Sequence, residues 1–249
     1  MSLLARTRRH FEFRAARRRV SDQFLAGEGI EIGALQRALP VGSKSRVRYV
    51  DYQTTAQLRK RYPELKWRRI ANVEAVDDGE VLSSLAPASL DFVIANHMLE
   101  HCQNPLGTIR NHSSKLKIGG VLYYAIPEKT QTFDSERPVT PFEHLVRDDK
   151  EGPEWSREQH YWEWATLVNK FSGEKAAKWV QEMVATNYSI HFHVWDRQAL
   201  FDFFTRAQTY LGGFHAEHFE QNQNEIIVVL RRNLESVVSA CAGDSGKFA

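Results

Sequence analysis

Four polar side chains that can bind ligands or move protons follow one apolar stretch of the sequence. Asn96 and His97 come directly after the run 90–95, and Glu100 and His101 follow within the next four residues. An imidazole accepts and releases protons near neutral pH, and a neighbouring amide or carboxylate can orient it. The spacing therefore predicts a site for proton transfer or for binding a polar ligand where the apolar run ends.

The segments around these residues predict how they are held. The runs 90–95 and 121–126 are typical of buried strands, and between them Leu106, Ile109 and Leu116 recur at near-helical spacing. A helix that crosses between two buried strands makes those strands parallel, and parallel sheets bind ligands at the carboxyl ends of their strands. The polar residues are therefore expected at the mouth of a binding site.

The same strand–helix alternation runs through the first half of the chain. Five candidate strands lie at residues 30–33, 46–51, 69–73, 90–95 and 120–126, and helices are predicted at 34–39 and 54–62. A helix at 196–207 is followed by two more strands, 214–219 and 225–230, which form a hairpin and make the final strand antiparallel. The fold class is α/β: a doubly wound Rossmann-like sheet, mostly parallel, with a C-terminal antiparallel hairpin strand.

The pattern breaks at about residues 128–193, which are polar and aromatic. Residues 162–168 and 174–186 are predicted to be helical. This much ordered sequence between strands predicts a helical insertion after the fifth strand rather than a loop.

The insertion carries a second set of residues for chemistry. His144, Asp148 and His160 combine imidazole and carboxylate groups that could form a base dyad or a divalent-metal site, but their spacing matches no short metal motif, so we predict no metal. His191 and His193 alternate as in a strand and should share a face. His160 is predicted to be catalytic and the other four to bind substrate; for His191 and His193 the alternative is a place on a surface loop.

The composition of the chain limits the classes of function that it can have. The chain has 249 residues, 42% hydrophobic and 26% charged, as expected for one large soluble domain, and its net charge of +2 does not indicate a nucleic-acid binder. Cys102 and Cys241 are too few and too far apart for a disulfide framework. Without a membrane-length apolar stretch or a secretory signal, the expected location is cytoplasmic.

The N-terminal segment, residues 1–26, is rich in arginine and is predicted to be helical. Two interpretations remain open: contact with an anionic membrane or an acidic protein, or a solvated helix loosely attached to the domain. Residues 27–235 form the predicted main domain, and residues 236–249 a flexible tail.

Two stretches carry a resemblance to a known family. LDFVIANHMLEH and KLKIGGVLYYAIP, preceded by GIEIGA and RVRYVD in the expected order, resemble the class I S-adenosylmethionine-dependent methyltransferases, in particular the type 11-like branch. The resemblance covers residues 27–127, and residues 196–231 by topology.

The resemblance implies S-adenosylmethionine as the cofactor and gives roles to residues at the strand ends. Backbone with little side-chain cover at the first turn would contact the amino-acid portion of the cofactor, and an acid in the first strand would contact its ammonium group. An acid in the second strand would contact the ribose, and an acid after the third strand would contact the adenine. The acids could instead be turn or cap residues. The implied cofactor-binding residues are Glu31, Gly33, Ala34, Asp51, Asp77, Asp78 and Asn96.

The resemblance further implies that His97 and His101 are catalytic residues beside the acceptor. His101 could instead be a helix-terminal packing residue. The expected reaction is O-methylation of a small-molecule or glycan acceptor, such as a sugar or glycan end in glycan biosynthesis. The alternative is an inactive methyltransferase-like binding or assembly module, because Ala34, Leu35 and Arg37 stand where the family pattern offers further glycines.

Overall fold

The computed structural model describes residues 3–233. Its seven strands are β1 (Gly27–Ile32), β2 (Ser45–Asp51), β3 (Val73–Val76), β4 (Leu90–Asn96), β5 (Leu116–Pro127), β6 (Phe214–Asn222) and β7 (Glu225–Arg232). Its α-helices are α1 (Leu3–Phe24), α2 (Thr55–Arg61), α3 (Pro105–Lys115), α4 (Phe142–Glu151), α5 (Glu154–Glu163), α6 (Gly173–Thr186) and α7 (Arg197–Leu211). None of the helices in this part of the chain combines the length and apolar character needed to cross a bilayer.

The strands form one sheet in the order β3-β2-β1-β4-β5-β7-β6. β1 to β5 are parallel, whereas β7 lies between β5 and β6 and is antiparallel to both. The predicted doubly wound sheet with an antiparallel final strand is confirmed. Because β1, β2 and β4 are parallel neighbours, their carboxyl ends meet at one edge.

The sheet is buried on both faces, which explains the unbroken apolar runs of its central strands. In β4, Val93 and Ala95 join a core cluster that includes residues of α3 and α7. Phe92 and Ile94 face the opposite cluster, which includes Val20 of α1. Successive side chains of a strand point to opposite faces, so every residue of this run is needed in one core or the other.

The C-terminal half of α1 is packed against the domain, unlike the loosely attached helix that one interpretation of the sequence expected. Val20 and Ser21 have no exposed surface, and Arg17 is buried. Ser21 Oγ donates a hydrogen bond to the carbonyl oxygen of Pro40, whereas Phe11 in the first half of the helix is 75% exposed. The predicted flexible tail, residues 236–249, lies outside the described residues.

Two predicted elements near the N-terminus are wrong. Residues 34–39 form turns rather than a helix, because Leu35 has a left-handed φ of 43° and the Leu39 amide donates to Glu31 instead of to a helical carbonyl. The third strand is Val73–Val76, not residues 69–73: pairing with Tyr49–Asp51 of β2 begins only at Val73.

The insertion after β5 is helical, as predicted, and has its own apolar cluster around Tyr161, Val180 and Phe192. α6 corresponds to the predicted helix at 174–186, whereas α4 and most of α5 were not predicted. The predicted helix at 162–168 is the end of α5 followed by a π-helical turn, Trp164–Val168. The expected strand at His191 and His193 is wrong, because residues 189–195 have no strand pairing.

A buried arginine, Arg137, connects this irregular segment to the rest of the insertion. Its guanidinium donates to the carbonyl oxygens of His191 and Phe192 and to the carboxylates of Asp134 and Glu163. Hydrogen bonds from the Arg137 guanidinium therefore hold residues 191–192 in place of strand pairing.

One buried histidine joins α3 to the sheet and to the loop after β3. His112 Nδ1 lies 2.9 Å from the Tyr124 hydroxyl and Nε2 lies 2.7 Å from the carbonyl oxygen of Gly79. Burial lowers the pKa of His112 from 6.5 to about 4, with the Gly79 hydrogen bond opposing the shift. The folded protein therefore holds a neutral imidazole here.

We expect His112 to make stability depend on pH. The unfolded chain takes up a proton on this side chain below pH 6.5, whereas the folded chain does so only near pH 4, so stability falls as the pH is lowered between these values. Between about pH 7.5 and about pH 5 the loss is about 2 kcal/mol. Urea unfolding of wild type and His112→Gln at both pH values should show a smaller pH dependence in the variant.

The exposed His10→Gln is the control and should retain the wild-type pH dependence. An equal loss of unfolding free energy in wild type and His112→Gln would contradict a neutral buried imidazole at this position.

Candidate functional site

A cavity of about 360 Å³ opens where β1 and β4 end, within the size range of small-molecule sites. The loop after β1 contributes Gly33, Ala34 and Arg37, and the end of β4 contributes Asn96 and His97. Of the four polar residues that follow the apolar run 90–95, Asn96 and His97 thus line this cavity, whereas Glu100 and His101 do not.

The turn after β1 has the shape that a backbone-lined ligand site requires. Gly33 has a φ of 64°, and a Cβ built there would meet no atom within 4 Å, so open space lies in front of the turn. Its amide donates to the carbonyl oxygen of Val50 at 2.9 Å, which fixes the turn beside the end of β2. Leu35 adopts a φ of 43°, a left-handed conformation that glycine adopts readily. The left-handed conformation at this position is thus reached without glycine.

Asp51 ends β2 beside this turn and carries a free acceptor. It is 5% exposed, and its Oδ1 is buried without a hydrogen-bond partner among the described residues. Burial raises the pKa of Asp51, and hydrogen bonds from the Gln53 and Tyr52 amides oppose the rise. Buried acceptors are normally paired, so an unpaired oxygen here indicates a missing donor such as a ligand hydroxyl.

Glu31 lines the cavity and also closes the loop beside it. Its carboxylate accepts the Leu39 amide at 2.9 and 3.0 Å and the Asn96 side-chain amide at 3.2 Å. Burial raises the pKa of Glu31 to about 7, although these hydrogen bonds and the charge of Arg17 lower it. Asn96 Oδ1 stays unpaired and buried. The predicted contact with a cofactor ammonium would thus add to a structural role of Glu31.

The two acids after β3 divide into a structural residue and an exposed one. Asp77 accepts hydrogen bonds from Ser84 N, Ser84 Oγ, Ser83 Oγ and Asp78 N. Burial raises the pKa of Asp77, but these hydrogen bonds outweigh it and the net shift is downward. Its oxygens are used within its own loop, so a contact with adenine, which stays a prediction for Asp77, would add to this structural role. Asp78 is exposed and is the other candidate for this contact.

His97 is held by a hydrogen bond to a buried carboxylate. It has a φ of 51°, and its Nε2 lies 2.9 Å from Oε2 of Glu225, which also forms two hydrogen bonds with Arg17. Burial raises the pKa of Glu225, but Arg17 and His97 outweigh it and the net shift is downward. An ionised carboxylate only accepts hydrogen bonds, so His97 donates from Nε2 and has Nδ1 free to take a proton. Nδ1 lies 3.6 Å from Oε1 of Glu100.

Beyond His97 lies the acceptor-side cluster, which we define as Glu100, His101 and His191. Each offers a ligand atom within 4.8 Å of the others, and both carboxylate oxygens of Glu100 are buried without hydrogen bonds. His101 Nδ1 lies 2.8 Å from the carbonyl oxygen of Ile190, and His191 Nδ1 lies 2.6 Å from Asp134. Burial lowers the pKa of His101. Both Nε2 atoms are thus left to face a ligand.

The remaining predicted residues form a separate group, which we call the insertion cluster: His144, Asp148, His160 and His193. It is almost fully buried, with His160 4% and His193 1% exposed. Burial lowers the pKa of both His160 and His193. The catalytic role expected for His160 stays a prediction, and the structure places this residue apart from the cavity beside His97. The prediction that His191 and His193 share a face is wrong, because they belong to different clusters.

Several site residues were not identified from the sequence. Phe13 and Arg17 of α1 line the cavity, and the Arg17 guanidinium lies 4.8 Å from the centre of the Phe13 ring. Phe13, Arg17 and Val20 recur at i, i+4 and i+7, a one-face pattern that could have predicted a packed helix. Glu225 begins β7, and no local pattern distinguishes it from an ordinary strand-end acid.

These features fit the S-adenosylmethionine implied by the resemblance. The open turn at Gly33 can accept the amino-acid portion, and the unpaired oxygen of Asp51 can accept ribose hydroxyls. Arg37 also lines the cavity and offers a positive charge to the cofactor's carboxylate. Each of these groups lies at the carboxyl ends of β1 and β2, where a doubly wound sheet binds its ligand.

Comparisons with known proteins agree with this geometry. Residues 9–208 match the family model described as a methyltransferase domain. No curated protein matches.

Three solved structures illustrate the similarity in chain trace. A putative S-adenosylmethionine-dependent methyltransferase from Methanococcus maripaludis has 14% identity and a TM-score of 0.48, covering 94% of this chain and 91% of that one. One from Mesorhizobium loti has 12% identity and a TM-score of 0.45, covering 86% and 95%. The CurJ carbon methyltransferase has 11% identity and a TM-score of 0.43; 85% of this chain is covered, but only 50% of that one.

We expect Asp51→Ala to weaken binding of S-adenosylhomocysteine, the demethylated cofactor, by about ten- to a hundred-fold, because hydrogen bonds to a charged acceptor are lost. Isothermal titration measures the affinity. Asp202→Ala, on the exposed face of α7, is the matched control and should bind as wild type does. Unchanged affinity in a folded Asp51→Ala variant would show that this carboxylate does not contact the cofactor.

Proposed function

Because the chain belongs to the methyltransferase-domain family and is a class I S-adenosylmethionine-dependent methyltransferase, we propose that it methylates a hydroxyl group of a small polar acceptor, a sugar or the end of a glycan. The observation that carries this proposal is the His97–Glu225 contact of 2.9 Å at the mouth of the cavity. A hydroxyl acceptor must lose a proton as it is methylated, and an oriented imidazole is the group suited to receive it.

The pairing of His97 supports a role as general base. Glu225 accepts a hydrogen bond from Nε2, and Arg17 compensates the charge of Glu225. The ring is therefore fixed in one tautomer and one orientation. A proton taken up at Nδ1 would be stabilised by Glu100, 3.6 Å away, and by Glu225 on the opposite side. This arrangement lets His97 accept the hydroxyl proton without moving.

The cofactor, when bound, supplies an electrophilic methyl group. The residues of this chain provide alignment: the Gly33 turn and Asp51 hold one partner, and the acceptor-side cluster holds the other. Glu100, His101 and His191 offer carboxylate oxygens and ring nitrogens that suit the hydroxyl groups of a polyol. His97 lies between the two halves and takes the proton.

An aromatic pair beside the acceptor-side cluster suits a sugar acceptor. Phe133 is 55% exposed, and its ring lies 5.3 Å from that of Trp164 and 4.9 Å from that of His191, centre to centre. Exposed aromatic faces can pack against the apolar C–H face of a sugar ring while polar neighbours bind its hydroxyls.

A transfer assay tests the acceptor class. Purified protein with S-adenosylmethionine carrying a labelled methyl group is offered free hexoses, nucleotide sugars and short oligosaccharides, with amines and thiols of similar size as the comparison. We expect label on a sugar oxygen, located by mass spectrometry. Transfer to amines or thiols but to no carbohydrate would contradict the proposal.

We expect His97→Gln to lower kcat by about 10²- to 10⁴-fold, because glutamine can still bond to Glu225 but cannot take a proton. Binding of S-adenosylhomocysteine should persist, which separates loss of the base from loss of the site. The surface variant His215→Gln should retain wild-type kcat.

His97→Gly provides a second measurement. The left-handed backbone at this position accommodates glycine, and added imidazole should restore part of the lost rate. A rate that imidazole does not raise, together with wild-type kcat in His97→Gln, would show that His97 is not the base.

A further inference from the structure

The insertion cluster places three ring nitrogens and a carboxylate oxygen around one point. His144 Nε2 lies 3.1 Å from His160 Nε2 and 3.3 Å from Asp148 Oδ2, and Asp148 Oδ2 lies 3.6 Å from His193 Nε2. One ligand atom from each histidine lies within 4.8 Å of the others. The side chains come from α4, α5 and the segment before α7, so residues distant in sequence converge here.

The separations of the histidines suit metal coordination. Zinc holds imidazole nitrogen at about 2.0–2.1 Å, which puts neighbouring ligand atoms about 3.3–3.4 Å apart. His144 Nε2 and His160 Nε2 lie 3.1 Å apart, and one ring nitrogen from each of the three histidines lies within 4.8 Å of the others.

Burial and pairing also indicate a missing cation. Asp148 has no exposed surface, and its Oδ2 has no hydrogen-bond partner among the described residues. His193 Nε2 lies 3.3 Å from the carbonyl oxygen of Gln103, and its Nδ1 is buried without a hydrogen-bond partner among the described residues. A buried carboxylate with an unpaired oxygen beside these rings lacks the countercharge that such groups normally have.

Neighbouring residues orient the ligands as they do in metal sites. Ser156 Oγ donates to Asp148 Oδ1 at 3.2 Å, which directs the other carboxylate oxygen toward the histidines. Glu163 Oε2 lies 3.9 Å from His160 Nδ1, on the side of the ring away from His144.

We propose that His144, His160 and His193 bind a divalent transition-metal ion of the zinc type in a buried structural site, with the Asp148 carboxylate beside them as its countercharge. Imidazoles are donors that zinc accepts, whereas calcium and magnesium prefer oxygen donors alone. Because His160, His193 and Asp148 are buried, the ion stabilises structure rather than activating water. The proposal is independent of which acceptor the enzyme methylates.

The ion would fasten the insertion to the main domain. His193 and its neighbour Phe192 donate their amides to the carbonyl oxygen of Glu100 at 3.2 and 2.8 Å. Fixing His193 therefore also fixes the segment that carries His191 into the acceptor-side cluster. This link explains why residues 189–195 hold a defined course without strand pairing.

Metal analysis of the full-length protein, purified without chelator and with any histidine tag removed, tests the site. We expect about one zinc ion per chain in wild type and less than about a tenth in His160→Gln and in the isosteric Asp148→Asn. His101→Gln and His191→Gln, which alter the adjacent acceptor-side cluster, are the matched controls and should keep the ion.

A second measurement uses wild-type protein alone and so does not depend on the variants folding. Chelator-treated protein titrated with Co²⁺ should develop the intense visible bands of four-coordinate cobalt, and zinc should remove them. Saturating zinc should raise the Tm of the chelated protein by roughly 5–10 °C, because the ion binds only the folded state.

Two results would overturn the proposal. The first is wild-type protein that carries no zinc and shows neither the cobalt bands nor a change in Tm when metal is added. The second is an ion that is retained in His160→Gln and Asp148→Asn but lost in His191→Gln, which would assign it to the acceptor-side cluster.

Discussion

The buried carboxylate of Glu225 is the constraint on which the site depends. A charge with no exposed surface must be compensated, and Arg17 of α1 and His97 at the end of β4 together provide that compensation. Three parts of the chain that are distant in sequence are thereby held at one point: the N-terminal helix, the first turn after the central strand and the start of the last strand. The same contacts seat α1 against the cavity and set the tautomer of His97, so the orientation of His97 and the wall of the cavity are not independent.

The acceptor half depends on a different principle, because residues 189–195 form no regular structure and are held by their polar contacts. Arg137 binds the carbonyl oxygens of His191 and Phe192, the carbonyl oxygen of Glu100 accepts two of the segment's amides, and His193 reaches the insertion cluster. Charged groups and imidazoles therefore shape this half, whereas apolar burial shapes the sheet. An arrangement of this kind allows acceptor preference to change by exchange of polar residues while the core remains intact.

The fold was largely predictable from the sequence, and the site only in part, for physical reasons. Strands such as β4 and β7 are buried on both faces, so their sequences are continuously apolar and easily identified. β3 was misplaced because only alternate residues of this four-residue strand are partly buried. The polar end of β4 correctly predicted where the site lies, since topology alone determines that position. Arg17 and Glu225 are 208 residues apart, and no local pattern encodes such a pair. His191 and His193 were assigned to one face because alternation predicts a strand, and the segment is not one.

The place of β7 in the sheet has a consequence for the order in which the protein is made. β7 pairs along the length of Val121–Pro127 in β5, yet it is the last strand of the described residues 3–233 and follows the whole insertion. At a synthesis rate of about 5–20 residues per second, β5 has an open edge for roughly five to twenty seconds before its partner leaves the ribosome. An open, apolar strand edge invites pairing with other chains. The insertion is synthesised in this interval, so its early compaction would shield the nascent sheet, and translation that stops before β7 would leave a chain prone to aggregation.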